Sequence, residues 1–431
     1  MIVLNDIEHK IIRIIEKYAK NLEPVTTPRI AGGWVRDKLL GIESEDIDIT
    51  LDNISGDAFA RGLVKFARLD KNVHKITANP EKSKHLETAV VNLFGYDVDF
   101  VILRTETYAE SRIPNIKPGT AKEDALRRDA TVNALFYNIF TRKIEDFTDK
   151  GLNDLNNKVI RTPLDPLITF KDDPLRVLRI IRFHAKLDFK IDEAALKVMQ
   201  NEEIHDALAK KVSSERVWKE LHKMLTYKNG VDGLLILVQN KLDRCVFKQK
   251  VCTYTEALEF YQKIGKYLLT VESSEEIFVM RMFILLNTCN VNEIVKIYKE
   301  ALKAPNSYTK IAEKIIKNQK LLSKKDLDNL EICNYIELLI DCGYLWKESL
   351  ILFYGLNNID LEKILKYVEE HHLVRRCFKK NYKISGYDFV DIFSGENRKQ
   401  IPACLRLSRI YEALDETLTK EQIMFKVLNK I

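Results

Sequence analysis

The sequence predicts an α+β head, a small mixed sheet with flanking helices, followed by an all-helical remainder. Three observations predict it. Strand patterns occur only in the first third, where "DIDITLD" and "YDVDFVIL" alternate apolar and polar residues. From about residue 170 onward apolar residues recur at helical spacing, as in "PLRVLRIIRFHAKL", "SERVWKELHKML" and "NYIELLIDCGYLWKESLILFYGL". Only 10 prolines and 15 glycines punctuate 431 residues, which suits long helices joined by short turns. Turn clusters such as "RTPLDP" and "TYKNGVDG" divide the chain into a head (1–165), a helical neck (166–240), a body (241–370) and a tail (371–431).

The first segment, "MIVLNDIEHKIIRIIEK", reads as an amphipathic helix carrying acids, unlike a signal or transit peptide. No run of about eighteen apolar residues occurs, so no membrane span is expected. Cys245, Cys252, Cys289, Cys333, Cys342, Cys377 and Cys404 form no C-x-x-C pair, which predicts reduced core thiols and neither disulfides nor a zinc site. The expected setting is cytoplasmic or nuclear, with an organellar pool left open. A formal net charge of +6 is a mild tilt compatible with a polyanionic partner.

The chemistry concentrates first in "AGGWVRDKLLGIESEDIDIT", residues 31–50. Gly32 and Gly33 let backbone N–H groups approach a phosphate, and a helix beginning near Trp34 would aim its positive end at the same place. Arg36 falls in the first turn of that helix, within reach of a phosphate oxygen. On the strand that follows, Asp46 and Asp48 share one face while Ile47 and Ile49 point into the core. Two such carboxylates repel unless a cation lies between them, and Mg²⁺, a hard oxygen-seeking ion, fits. In "YDVDFVILR" either Asp97 or Asp99 could supply a third carboxylate.

Three further stretches carry candidates. In "EDALRRDATVNALFYNI", residues 123–139, Asp129 and Asn133 are four apart, as on one helix face; they suit ribose hydroxyls, with Arg128 at phosphate. "NALFYNI" followed by "KIEDF" reads as a helix end and a short strand. In "KDDPLRVLRIIRF", residues 171–183, Pro174 behind Asp172 and Asp173 marks a helix start. Arg176, Arg179 and Arg182 then share one arc of that helix and would repel one another unless an anion lies along them. Near the C-terminus, "RRCFKKNYK" interleaves Phe378 and Tyr382 with Arg375, Arg376, Lys379, Lys380 and Lys383, a candidate RNA contact. No P-loop or Rossmann glycine pattern is present.

Taken in order, these stretches resemble the class II tRNA nucleotidyltransferases (CCA-adding enzymes), of eukaryotic type, within the polymerase-β nucleotidyltransferase superfamily. "GGWVRDKLLGIESEDIDI" is similar to the family's first motif, "RRDATVNA" to its second and "DFTDKGLNDL" to its third. "DDPLRVLRIIRF" is similar to the fourth, with Asp172 where the family has Glu, and "SSERVWKEL" to the fifth. "NPEKSKHLETA" and "SRIPNIKPGT" resemble the eukaryotic branch. The resemblance covers about residues 28–225 and implies a nucleotidyltransferase head. It implies Mg²⁺ on Asp46 and Asp48 with Asp99 as third ligand. Gly33, Arg36 and Arg128 would contact the triphosphate, Asp129 and Asn133 the ribose, and Asp173 and Arg176 the base, with Arg179 and Arg182 nearby. The implied activity is template-independent CCA addition to the tRNA 3′ end from CTP and ATP, by two-metal displacement of pyrophosphate, with the helical domains gripping tRNA. Poly(A) polymerases and enzymes adding only A or only CC share these motifs. A non-catalytic tRNA binder would not need Asp46 and Asp48.

Overall fold

The computed structural model describes residues 2–76, 88–107, 115–327, 330–393 and 395–431. Most of "NPEKSKHLETA" and the first four residues of "SRIPNIKPGT" lie outside the described residues. The chain forms two compact units, Met1–Val246 and Phe247–Ile431.

In the first unit, helix α1 (Asp6–Lys20) is followed by β1 (Arg29–Ala31), α2 (Gly33–Leu39), β2 (Ile47–Leu51), α3 (Gly56–Phe66), β3 (His74–Ile76), β4 (Thr88–Leu93) and β5 (Tyr96–Ile102). A separate hairpin, β6 (Arg104–Thr107) with β7 (Asn115–Pro118), leads to α4 (Ala121–Leu126), β8 (Leu135–Asn138) and β9 (Ile144–Asp146). The described sheet has the order β3-β4-β5-β2-β1-β8-β9. It is mixed: β2 and β5 run parallel, while the other neighbours pair antiparallel.

The parallel pair requires a crossover, and α3 supplies it against the sheet. Its first residue, Gly56, lies so close to β5 that an added Cβ would sit 2.0 Å from the Phe100 carbonyl oxygen, so only glycine fits. Ile47, Ile49, Leu51, Val98 and Phe100 are buried, and Phe59 of α3 packs on Phe100 with ring centroids 5.3 Å apart. The "NALFYNI" segment is a correction to the sequence reading: a 3₁₀ turn (Thr131–Asn133) leads into strand β8, not a helix end. A short, continuous apolar run is compatible with either state, and pairing with β1 and β9 decides it.

The head passes into helices α5 (Gly151–Asn156), α6 (Pro166–Asp172), α7 (Leu175–Leu187), α8 (Glu193–Met199), α9 (Glu202–Lys211), α10 (Ser214–Thr226) and α11 (Gly230–Gln239). A two-stranded parallel ladder, β10 (Val159–Ile160) with β11 (Lys190–Ile191), ties the end of the head to the loop after α7. Helices α10 and α11 both pack on α7, which makes α7 the spine of this part. In the second unit the described regular structure is helical, with cores such as Phe278, Val279, Met282 and Phe283 on the helix Ser274–Leu286. No helix among the described residues is long and apolar enough to cross a membrane.

Candidate active site

Strand alternation places the acids. Ile47 and Ile49 are buried while Asp46 and Asp48 are open to solvent. In the parallel register Asp48 lies directly opposite Asp99. Asp97 instead pairs with Asn92 across the β4–β5 hairpin, accepting a hydrogen bond from Asn92 Nδ2 at 2.8 Å. Desolvation, opposed by Arg128 and reinforced by Asp46, pushes the Asp48 carboxyl up. Desolvation and the neighbouring Asp48, Asp46 and Asp97 charges push Asp99 up to about 6. Among the described residues no group of three or more His, Cys, Asp or Glu is arranged so as to hold a metal ion. The donor chemistry nevertheless fits a hard divalent cation: acceptor-only carboxylates that crowd one another are relieved by such an ion.

Beside these acids runs the glycine turn. Gly32 has φ 78° and ψ −134°, and an added Cβ would lie 3.0 Å from Arg128 Nη1 and 3.9 Å from Asp48 Oδ2. Conformation therefore requires glycine here, and an added Cβ would in addition crowd the Arg128 guanidinium. Arg36 departs from the expectation of a phosphate contact. It is 3% exposed, its Nε donates to Asp37 Oδ1 at 2.7 Å, and its Nη1 donates to Asn133 Oδ1. The guanidinium turns inward because two acceptors wait there, one on its own helix and one on the turn after α4. Helix α2 is in turn buttressed by α1: the fully buried Glu8 accepts from Trp34 Nε1 at 3.0 Å and pairs with Lys38 at 3.0 Å.

Asp129 and Asn133 do not share one helix face. Helix α4 ends at Leu126; Asp129 precedes the 3₁₀ turn and Asn133 is its last residue. They meet all the same, Asn133 Nδ2 donating to Asp129 Oδ1 at 3.0 Å. Arg128 is fixed beside them by Asp124 (Nε to Oδ2, 3.0 Å), by the Asn133 carbonyl (3.1 Å) and by the Phe136 ring, 5.0 Å below its guanidinium.

The arginine row of α7 does lie along anions, but these belong to the protein. Arg179 pairs with Asp129 at 2.5 Å and more distantly with Glu220 at 3.7 Å; Arg182 Nε donates to Glu220 at 2.5 Å. Burial would raise the Asp129 carboxyl, yet Arg179 and the Asn133 hydrogen bond hold it well below the usual carboxylate range. Asp129 raises Arg179 in return. Arg176 Nη1 donates only to the Thr169 carbonyl, at 3.3 Å, among the bonds described. Asp173 stands at the α6–α7 junction, where its Oδ1 caps the Leu175 N–H at 3.2 Å and its Oδ2 accepts from Arg216 Nη2 at 2.8 Å. Sequence reasoning missed Arg216 and Glu220. The available signal was their i, i+4 spacing in "SSERVWKEL", which puts both on one face of α10.

In the second unit, three of the five basic residues at 375–383 are engaged internally. Arg376 donates to the Ala413 and Leu414 carbonyls at 2.8 and 2.9 Å. Lys379 pairs with Glu412 and Glu416 at 3.3 and 2.9 Å, and Lys383 Nζ donates to the Glu416 and Leu418 carbonyls, each at 2.7 Å. Arg376 thus satisfies terminal carbonyls of the helix Ile401–Leu414, while Lys379 and Lys383 hold Glu412 in its last turn and the segment that follows it. Arg375 and Lys380 remain exposed.

Residues 28–161 match the family model described as "Poly A polymerase head domain". Residues 188–249 also match the model described as "Probable RNA and SrmB- binding site of polymerase A". The chain is similar to the tRNA nucleotidyltransferase cca2 of Schizosaccharomyces pombe, 46% identical over 252 residues, 55% of this chain and 52% of that protein. It is likewise similar to the mitochondrial CCA tRNA nucleotidyltransferase of Saccharomyces cerevisiae, 50% identical over 241 residues, 54% of this chain and 44% of that one. The chain thus matches about half the length of these curated relatives. The solved Thermotoga maritima CCA-adding enzyme complexed with tRNA_CCA shares the fold, with a TM-score of 0.72 at 20% identity, covering 99% of this chain and 96% of that one.

Proposed function

We propose that this chain, whose residues 28–161 match the poly A polymerase head-domain model, adds CCA to the 3′ end of tRNA without a nucleic-acid template, taking CTP and ATP and releasing pyrophosphate. The observation that carries the reading is the Asp48–Asp99 register with Asp46 beside it, next to the Gly32 turn. The named activity of the yeast relatives and the tRNA in the Thermotoga complex support it.

Asp46 and Asp48 would hold Mg²⁺, with Asp99 alongside; the ion supplies charge stabilisation at the phosphoryl group and lowers the pKa of the tRNA 3′-hydroxyl. The chain's own part is positioning. The Gly32–Gly33 turn lets the triphosphate approach the backbone, and Arg128, set by Asp124 and Phe136, faces it. Arg36, held by Asp37, fixes Asn133, so its part in triphosphate binding is indirect. Asp129 and Asn133 meet the ribose, Asp129 keeping lone pairs beyond the bonds it makes.

Base choice falls to Asp173 and Arg176. Cytosine and adenine both present an amino donor beside a ring-nitrogen acceptor, whereas uracil and guanine present a carbonyl in the amino position. A carboxylate accepts from the amino group and a guanidinium donates to the ring nitrogen. Arg176 has N–H groups to offer, since its one described bond goes to a backbone carbonyl. Arg179 and Arg182, neutralised by Asp129 and Glu220, form the wall behind.

The test is a tRNA transcript lacking its 3′ end, incubated with the protein, Mg²⁺, CTP and ATP, and the product 3′ ends sequenced. CCA ends are expected. A run of A would make it a poly(A) polymerase, A alone or CC alone a partial enzyme, and unextended tRNA that still binds the protein a non-catalytic binder.

A further inference from the structure

Two ion pairs tie helix α7 to the head, Arg179–Asp129 and Lys186–Asp37, and side chains join them into a closed ring; between them the Phe183 ring of α7 lies 5.8 Å from the Arg36 guanidinium. Arg179 of α7 pairs with Asp129 at 2.5 Å. Asp129 accepts from Asn133 at 3.0 Å, and Asn133 accepts from Arg36 through its amide oxygen. Arg36 is gripped by Asp37, whose Oδ1 lies 2.7 Å from Nε and 2.6 Å from Nη2. The other oxygen of Asp37 accepts from Lys186 Nζ at 3.0 Å, and Lys186 lies on α7 again. Lys186 continues the face of Arg179 and Arg182, four residues after the latter.

We infer that Asp37 and Lys186 are positioning residues of the nucleotide site, closing a ring that holds the glycine turn at a set place relative to α7. The inference rests on the nucleotide-addition reading. Neither side chain is placed to touch a base: Asp37 is 5% exposed, with both oxygens occupied. The orientation of Arg36 depends on Asp37. An arginine has several rotamers, and one acceptor on Nε and Nη2 with another on Nη1 selects a single one. With Lys186 removed, Asp37 loses its only described partner outside its own helix, and the end of α7 loses its ion pair to α2 while the Phe183 ring stays against Arg36. The other link, Asp129–Arg179, stays.

The consequence separates rate from selectivity. The base-reading pair, Asp173 and Arg176, sits at the far end of α7 and is anchored independently by Arg216 and by Thr169. Opening the ring at Lys186 therefore loosens the turn beneath the triphosphate and leaves the reading of the base intact. A misplacement of about 1 Å at a reacting centre costs up to about a hundredfold in rate.

The experiment measures kcat and KM for CTP, ATP, UTP and GTP on one tRNA, with CTP affinity by calorimetry, for the wild type, Lys186→Met, Lys186→Arg, Asp37→Asn and the Asp37→Asn/Lys186→Met double variant. Lys186→Met should lower kcat/KM for CTP and ATP by the same factor, about ten- to a hundredfold. The preference over UTP and GTP should stay as in the wild type, and Lys186→Arg should restore most of the loss. The double variant should be little worse than Asp37→Asn alone, because both cut one chain of contacts. Wild-type values in Lys186→Met, a fall in preference over UTP and GTP, or additive losses would each overturn the inference. So would a Lys186→Arg no better than Lys186→Met. A wild type that adds neither C nor A overturns the function reading instead; unchanged CTP affinity in Lys186→Met would then overturn the ring as well.

Discussion

Asp129, in the turn after α4, and Arg179, on α7, are fifty residues apart in sequence and 2.5 Å apart in space. The pair is asymmetric: Asp129 is buried, while the Arg179 side chain is 37% exposed. Removing the arginine strands a carboxylate, whereas neutralising the acid leaves a cation that solvent and Glu220 still serve. Arg179→Ala should therefore cost about 2–3 kcal/mol, less than a fully buried pair because solvent reaches the guanidinium. Asp129→Asn should cost about 1 kcal/mol. Because Asp129 is held low, its contribution is complete above about pH 4 and lost on further acidification. Urea denaturation at pH 7 and pH 3 reads both; equal losses for the two variants would contradict the asymmetry.

Asp46→Ala and Asp48→Ala should each abolish addition of both C and A. Affinity for tRNA should stay within a few-fold of wild type, since both acids project from the strand face opposite the buried Ile47 and Ile49. Extension assays and gel shifts check the two halves; affinity collapsing together with activity would mean the acids serve the fold.

Base selection should fail in the same way when Asp173 or its anchor is lost. Asp173→Ala, Arg176→Ala and Arg216→Ala should each narrow the advantage of CTP and ATP over UTP and GTP. A bidentate base contact is worth about 1–3 kcal/mol of discrimination, which sets the scale of the loss. The ratios of kcat/KM on one tRNA measure it, and unchanged ratios in all three variants would place base reading elsewhere.

The basic cluster at 375–383 should divide by role. Lys379→Ala removes the partner of Glu412 and Glu416 and should cost about 1 kcal/mol of stability. Lys380→Ala should leave stability alone, weaken tRNA binding and flatten its salt dependence by about one phosphate contact. Thermal melts and binding titrations across salt concentrations separate the two; identical salt slopes in Lys380→Ala and wild type would make Lys380 solvated surface.

Glu348, 5% exposed on the helix Trp346–Leu356, is pushed up to about 6 by burial and by the Glu276 charge. A carboxyl raised on folding stabilises fully below its unfolded pKa, and that contribution disappears as pH rises through about 6. Glu348→Gln should therefore be more stable than wild type above pH 7, by up to about 2 kcal/mol, with the difference shrinking toward pH 4.5. Denaturation of both proteins across that range checks the sign; a variant less stable at pH 8 would show that the carboxylate has a partner there.

What the sequence determined by itself follows from local geometry. Two acids one residue apart on a strand must share a face, so Asp46 and Asp48 were legible as a pair, as were the double glycine and the arginine arc of α7. The switch from two-residue to helical periodicity likewise defined the head and the helical remainder. Tertiary structure decided the rest, because each choice depends on which distant segment comes alongside. Asp99 rather than Asp97 stands opposite Asp48 only through the β2–β5 register, which shifts every side chain to the other face if it slips by one residue. The anions along the arginine row proved to be Asp129 and Glu220, brought by the turn after α4 and by α10. Arg36 turned inward for the same reason: a buried guanidinium needs acceptors, and only the folded chain sets Asn133 within its reach.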